Sequence, residues 1–145
     1  MFSKTTEYAL RATLHIARKG TEAKKLSIDE IAKAIGSPRS FTAKILQLLS
    51  KNNQIVRSVR GPHGGFYLTH DAKLLSIYNI IEIMGEEDIF NKCVMGLKKC
   101  TKEKPCPLHF QYQGIKSELV KMFQQNSIQM LINDENKRKI FVRDV

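Results

Sequence analysis

The chain has 145 residues, with 24 Lys and Arg against 14 Asp and Glu, a formal net charge of +10 and a pI near 9.7. At 42% hydrophobic and 26% charged residues it reads as a folded protein of one domain, or one small domain with an appendage, which excludes a disordered polymer. No apolar run is long enough to span a bilayer, and Met1-Phe2-Ser3-Lys4 leads to Glu7 and Arg11 with no signal-peptide core, so the expected location is cytoplasmic.

The three Cys are then expected as thiols or metal ligands rather than disulfides. The charge is unevenly spread. Residues 1–73 hold 13 Lys and Arg against 5 Asp and Glu, a net of +8; residues 74–145 hold 11 against 9, a net of +2. The basic excess of the first half asks for an anionic partner, nucleic acid before a lipid surface, though a solubilising face would look the same.

A helix is predicted over residues 5–18, where Tyr8, Ala12 and Ile16, with Ala9, Leu10 and Ala17 beside them, make an apolar face that ends at Gly20. Ser27-Ile28-Asp29-Glu30 is a capping box. Ile28, Ile31, Ala32 and Ile35 follow at helical spacing, and Gly36 stops the helix. Ser37 and Pro38 then open another helix, as N-cap and first-turn residue, with Phe41, Ile45, Leu48 and Leu49 as the expected buried stripe. Two short helices joined by a turn containing Gly have the shape of a helix-turn-helix.

The period then changes. Gln54 to Arg60 is β-branched and predicts a strand, Gly61-Pro62-His63-Gly64-Gly65 a turn, and Phe66-Tyr67-Leu68 a returning strand. Ser76 can cap a helix through Ile77, Ile80, Ile81 and Met84, closed by Gly85. Residues 86–107 are aperiodic. Helical spacing resumes over 108–124 with Tyr112, Ile115, Leu119, Met122 and Phe123, and Ser127 can cap a last short helix through Ile128, Leu131 and Ile132. The fold class is mainly α with a small β-hairpin.

Helix-turn-helix and hairpin together make a winged DNA-binding unit. A helix fits the major groove while a preceding helix braces it across the backbone. Ser37, Arg39, Ser40, Thr42, Ala43 and Lys44 are expected on the exposed N-terminal end of the second helix. Arg57, Arg60 and His63, around Gly61, Gly64 and Gly65, form a basic tip suited to phosphates or the minor groove. Each piece alone is common in proteins that never touch DNA; the argument is their order inside the +8 half. No Ser-His-Asp, H-E-x-x-H or phosphate-loop pattern is present, so an enzyme is not expected.

Cys93, Cys100 and Cys106 share one Lys-containing loop, followed by His109. The spacing is wrong for paired C-x2-C zinc knuckles and for thioredoxin chemistry. Soft thiolates on a loop suit an iron–sulfur cluster, and Lys92, Lys98, Lys99, Lys102 and Lys104 would favour the thiolate. His109, three residues on, or Glu7 brought by a partner subunit, could complete the ligands. A zinc site of three Cys and one His, a regulatory disulfide, and three free, mildly reactive thiols stay open.

The run Phe41-Thr42-Ala43-Lys44-Ile45-Leu46, the stretch Ile55 to Leu68 with its Val-Arg-Gly-Pro-x-Gly-Gly core, and the opening Thr5 to Ala12 resemble the Rrf-two family of bacterial transcription regulators. The likeness covers nearly the whole chain and weakens after about residue 132. It implies a homodimer on double-stranded DNA with an approximately palindromic operator. Residues 1–73 would be the winged DNA-binding domain and 74–145 the cysteine-loop sensor and dimerisation region. The long helix from Leu108 to Phe123 would be the dimerisation helix. Cluster-binding members carry three Cys before that helix, matching Cys93, Cys100 and Cys106; some add a His where His109 stands, others an acidic residue of the first helix near Glu7. The implied activity is regulation, most simply repression, through a 2Fe–2S or 4Fe–4S cluster sensing cluster status, redox or nitric oxide. The alternative is a cluster-free regulator controlled by thiol oxidation or a partner protein. One residue more separates Cys93 from Cys100 than in several members.

Overall fold

The first helix, α1 (Lys4–Lys19), is the hub of a computed structural model that describes residues 1–138. Ser3 caps it, its Oγ accepting from the Thr6 N–H at 3.2 Å. Its inward face is Thr6, Ala9, Ala12, Thr13, Ile16 and Ala17. Small side chains dominate that face, so neighbouring helices come close, and α1 packs against α2 (Ile28–Ile35), α3 (Arg39–Leu49), α5 (Ile77–Ile83) and α7 (Ile128–Arg138). Tyr8 and Leu10, expected on this face, are only half-buried at its margin. The segment Ile140-Phe141-Val142 lies outside the described residues.

The helix-turn-helix forms as the caps dictate. Ser27 and Glu30 make the reciprocal capping box, at 3.1 and 2.8 Å. Gly36 ends α2 at φ +67°, a left-handed position. Ser37, however, is not the cap of α3: Pro38 precedes the helix and no side chain caps it, while Ser37 itself is buried.

The buried stripe of α3 also differs from expectation. It is Thr42, Ile45, Leu46 and Leu49; Phe41 and Leu48 are turned outward. Both sets have helical spacing, so periodicity alone could not choose. Thr42 tolerates the inside because its hydroxyl donates to the Pro38 carbonyl at 3.0 Å, leaving its methyl to pack.

The wing is shorter than its sequence. Strand β1 is Arg57–Val59 and β2 is Gly65–Tyr67, antiparallel, with Arg57 opposite Tyr67 and Val59 opposite Gly65. Ile55 and Val56 are not ladder residues. A tight turn over Lys51–Asn53 brings both into the core, and both N–H groups donate to the Leu49 carbonyl, at 3.4 and 3.1 Å. The outer edge of β2 is covered by Leu26, which exchanges both main-chain hydrogen bonds with Phe66, at 2.9 and 2.8 Å. Gly65 has φ +145°, and a Cβ there would lie 2.7 Å from the Leu26 carbonyl oxygen.

A short helix α4 (His70–Lys73) leads to α5, whose start is closed by Asn79 accepting from the Ser76 N–H at 2.9 Å. After a turn over Glu87–Phe90, residues 91–108 are irregular, then α6 (His109–Gln125) and α7 follow. Backbone bonds from Ile77 to Asn126 and from Ile128 to Leu75, at 3.0 and 2.9 Å, tie the starts of α5 and α7 together.

One apolar cluster holds all of this. It joins Ile16, Ile35, Ile45 and Leu49 to Ile80, Ile81, Ile128 and Ile132, and so runs across the chain division at residue 73. Phe90 adds a second bond between the halves, its ring 6.4 Å from Phe2 and 5.6 Å from both Tyr78 and Phe123. Helix α6 contributes no fully buried residue; Leu119, Val120 and Phe123 lean on the core, while Phe110, Ile115 and Met122 face outward.

Candidate DNA interface and metal centre

The outward side of α3 carries Arg39, Ser40, Phe41, Lys44, Gln47 and Leu48. Of the side chains expected to face DNA from this helix, Ser40 and Lys44 are exposed and Ala43 is half-buried. Arg39 is exposed but already engaged, its Nε donating to the Asp29 carboxylate of α2 at 2.8 Å. Both partners are largely solvated, so this ion pair costs little to open. Ser37 and Thr42 need correction as groove contacts. Ser37 is 8% exposed and Thr42 fully buried, and the hydroxyl of each is turned to the Pro38 carbonyl. Phe41 and Leu48 are the residues that helical periodicity misplaced.

At the wing, Arg60 and His63 are exposed, while Arg57 and Gly64 are half-exposed. Gly64 has an internal duty: a Cβ there would sit 2.1 Å from the Val59 carbonyl, so the return of the chain toward β2 demands its absence. Its N–H closes the turn onto the Gly61 carbonyl at 2.9 Å. The tip therefore presents Arg60 and His63 on a backbone fixed by glycine.

The second constellation forms in the irregular stretch 91–108. Residues 13 apart in sequence meet there: Cys93 Sγ lies 3.6 Å from Cys106 Sγ. Cys100 Sγ accepts from the Cys106 N–H at 3.4 Å and faces His109 Nδ1 at 3.2 Å. The sulfurs of Cys93, Cys100 and Cys106 all fall within 4.8 Å of one another. His109, the first residue of α6, stands beside this trio, and its buried Nε2 has no hydrogen-bond partner. Glu7 is paired instead with Lys4 on α1, at 3.3 Å.

The thiols are electrostatically unequal. Main-chain N–H groups, Leu97 first and then Met95, bring Cys93 down to about 7 against the pull of burial. Burial pushes Cys106 up. The preference for thiolate that the five lysines were expected to supply comes, at Cys93, from the backbone. Three soft donors gathered on one loop, next to an imidazole whose Nδ1 faces Cys100 Sγ at 3.2 Å, fit a thiophilic metal centre.

Comparison with known proteins bears on family and fold. Residues 2–134 match the family described as Rrf2, iron-dependent transcriptional regulator. The chain is 36% identical over 139 residues to an HTH-type transcriptional regulator of Aquifex aeolicus, covering 94% of each chain. It is 27% identical over 128 residues to the HTH-type transcriptional regulator IscR of Escherichia coli, covering 88% of this chain and 77% of the other. Among solved structures, CymR of B. subtilis superposes with a TM-score of 0.73 at 19% identity, covering 92% of this chain and 96% of that one. IscR of T. potens superposes with a TM-score of 0.72 at 18% identity, covering 97% and 92%. These structural likenesses bear on fold; the family match, with the winged helix-turn-helix already in place, carries the assignment. The chain belongs to the Rrf2 family of transcriptional regulators.

Proposed function

We propose that the protein is a cytoplasmic, homodimeric DNA-binding regulator, most simply a repressor, whose operator affinity is set by an iron–sulfur cluster. The observation that carries the sensing half is the convergence of three cysteine sulfurs within 4.8 Å. Cys93, Cys100 and Cys106 would hold the cluster, with His109 as fourth donor in preference to Glu7, because His109 Nδ1 already faces Cys100 Sγ at 3.2 Å. When bound, a 2Fe–2S or 4Fe–4S cluster supplies one-electron redox and reaction with nitric oxide. The protein's own part is mechanical. Cys106 lies three residues before α6, so what the thiols hold sets the footing of that helix.

The outward residues Ile115 and Met122, seven apart on one side of α6, fit a seam with a second copy. In a dimer, two α3 helices must sit roughly one DNA turn, about 34 Å, apart to read a palindromic operator, and a shift of α6 alters that spacing. Residues 1–73 would then read DNA through Arg39, Ser40, Lys44, Arg57, Arg60 and His63, and residues 74–145 would sense and dimerise.

Anaerobic reconstitution with iron and sulfide tests the reading. Visible charge-transfer absorption with bound iron and sulfide is expected, and Cys106→Ala should abolish it. Absence of that signal in the wild type would overturn the cluster. One observation favours the alternative: Cys93 and Cys106 sulfurs 3.6 Å apart are placed for oxidation to a disulfide, with two electrons and two protons passing to an oxidant such as peroxide. A reversible loss of 2 Da on mild oxidation, with no cluster formed, would select it.

A further inference from the structure

We infer that Phe41 is a specificity-determining residue that reads a thymine methyl group in the major groove; this rests on the DNA-binding reading above. Helix α3 buries Thr42, Ile45, Leu46 and Leu49, which at 100° per residue occupy a single side of the helix. Ser40, Lys44 and Gln47 lie opposite, at the centre of the open face, and Phe41 lies on one flank. Phe41 is 47% exposed although it is the largest apolar residue of the helix.

The surroundings of Phe41 are polar and basic. Arg39, Ser40 and Lys44 share the exposed N-terminal turns of α3, within the half of the chain that carries +8. That setting matches a polyanion, and a polyanion chooses the occupant. Phosphates reward Arg, Lys and hydroxyls, and give an exposed phenyl ring nothing. The floor of the major groove offers one apolar group, the C5-methyl of thymine. Phe41 is the third residue of α3, and the N-terminal residues of such a helix are those that reach base edges. Leu48 shares its flank and is 42% exposed, but stands two turns further along, about 10 Å along the axis. It is the internal control.

The test uses the full chain. A preferred duplex is first selected from a randomised pool. Each thymine of it is then replaced by deoxyuridine, which keeps every hydrogen-bonding atom and removes only the methyl. For the wild type, one position per half-site should lose about fourfold in affinity, the factor equivalent to one methyl-sized apolar contact. Phe41→Ala should bind thymine and deoxyuridine equally at that position, and Leu48→Ala should keep the wild-type difference. A selected duplex with no methyl-sensitive position, or a Phe41→Ala protein that keeps the sensitivity, overturns the inference and leaves the DNA-binding reading standing. Selection of no sequence at all, with no salt-dependent duplex binding, overturns both.

Discussion

Thr42 and Arg60, both expected at the DNA interface, are constrained in different ways. Thr42 is spent on the core, its hydroxyl satisfied by Pro38. Thr42→Val should therefore leave operator affinity within about twofold, because it removes only an internal hydrogen bond worth about 1 kcal/mol. Arg60 is exposed in the wing turn. Arg60→Ala should weaken binding and reduce the slope of log affinity against log salt by about one, the signature of one lost phosphate contact. Filter binding or anisotropy at four salt concentrations separates the two variants, and an unchanged slope for Arg60→Ala would remove Arg60 from the interface. The cysteines were legible in the sequence because thiols declare their chemistry by type, and the fold had only to bring 93, 100 and 106 together. Phe41 and Thr42 were not legible as adjacent residues with opposite fates. Helical spacing accepts a stripe through either, and the hydrogen bond that decides between them needs the coordinates.

Helix ends were easier to read than strands. Ser27 with Glu30, Gly36 and Ser76 each mark a boundary through a hydrogen bond or a backbone angle local in sequence, whereas Ser37 does not cap α3. The wing depends on partners distant in sequence. Ile55 and Val56 look like strand and serve as core, while Leu26, far upstream, completes the outer edge of β2. Gly65→Ala exposes that dependence. A side chain at φ +145°, with its Cβ 2.7 Å from the Leu26 carbonyl, must push β2 off its neighbour. A loss of about 1–3 kcal/mol is expected, the usual cost of such a backbone conformation in a non-glycine residue. Urea unfolding should show a lower midpoint, and the variant's residual DNA affinity should resemble that of a wing deletion. A variant as stable as wild type would mean that the Leu26 bridge is not maintained in solution.

The two halves of the chain are fastened at the start of α1. Glu86 accepts from the Ser3 N–H at 3.0 and 3.2 Å. Burial pushes this carboxyl up, but hydrogen bonds from Thr6 and Ser3 outweigh it and hold Glu86 below the ordinary carboxylate range. A carboxylate with a depressed native pKa stabilises the fold above its unfolded value, near 4.3, and that contribution is lost as pH falls through the native value. Glu86→Gln should thus lower the melting temperature slightly at pH 7, within about 2 °C for so solvated a group, and the difference should vanish once the pH falls below the native value. A difference that persists in acid would assign the effect to packing instead of charge.

The apolar cluster that crosses residue 73 has a consequence for anyone hoping to use the winged helix-turn-helix as a part. Ile80, Ile81, Ile128 and Ile132 are the lid over Ile16 and its neighbours on the helix that braces the reader. A fragment ending at residue 73 would keep every candidate DNA-contacting side chain and lose that lid. It should be soluble only at low concentration, bind a hydrophobic dye, and lack a cooperative thermal transition. Grafting the reader onto a foreign sensor would accordingly require carrying α5 and α7 along, so the transplantable unit is discontinuous in sequence. A sharp melt from the isolated 1–73 fragment would show the opposite: that reader and sensor are separable goods.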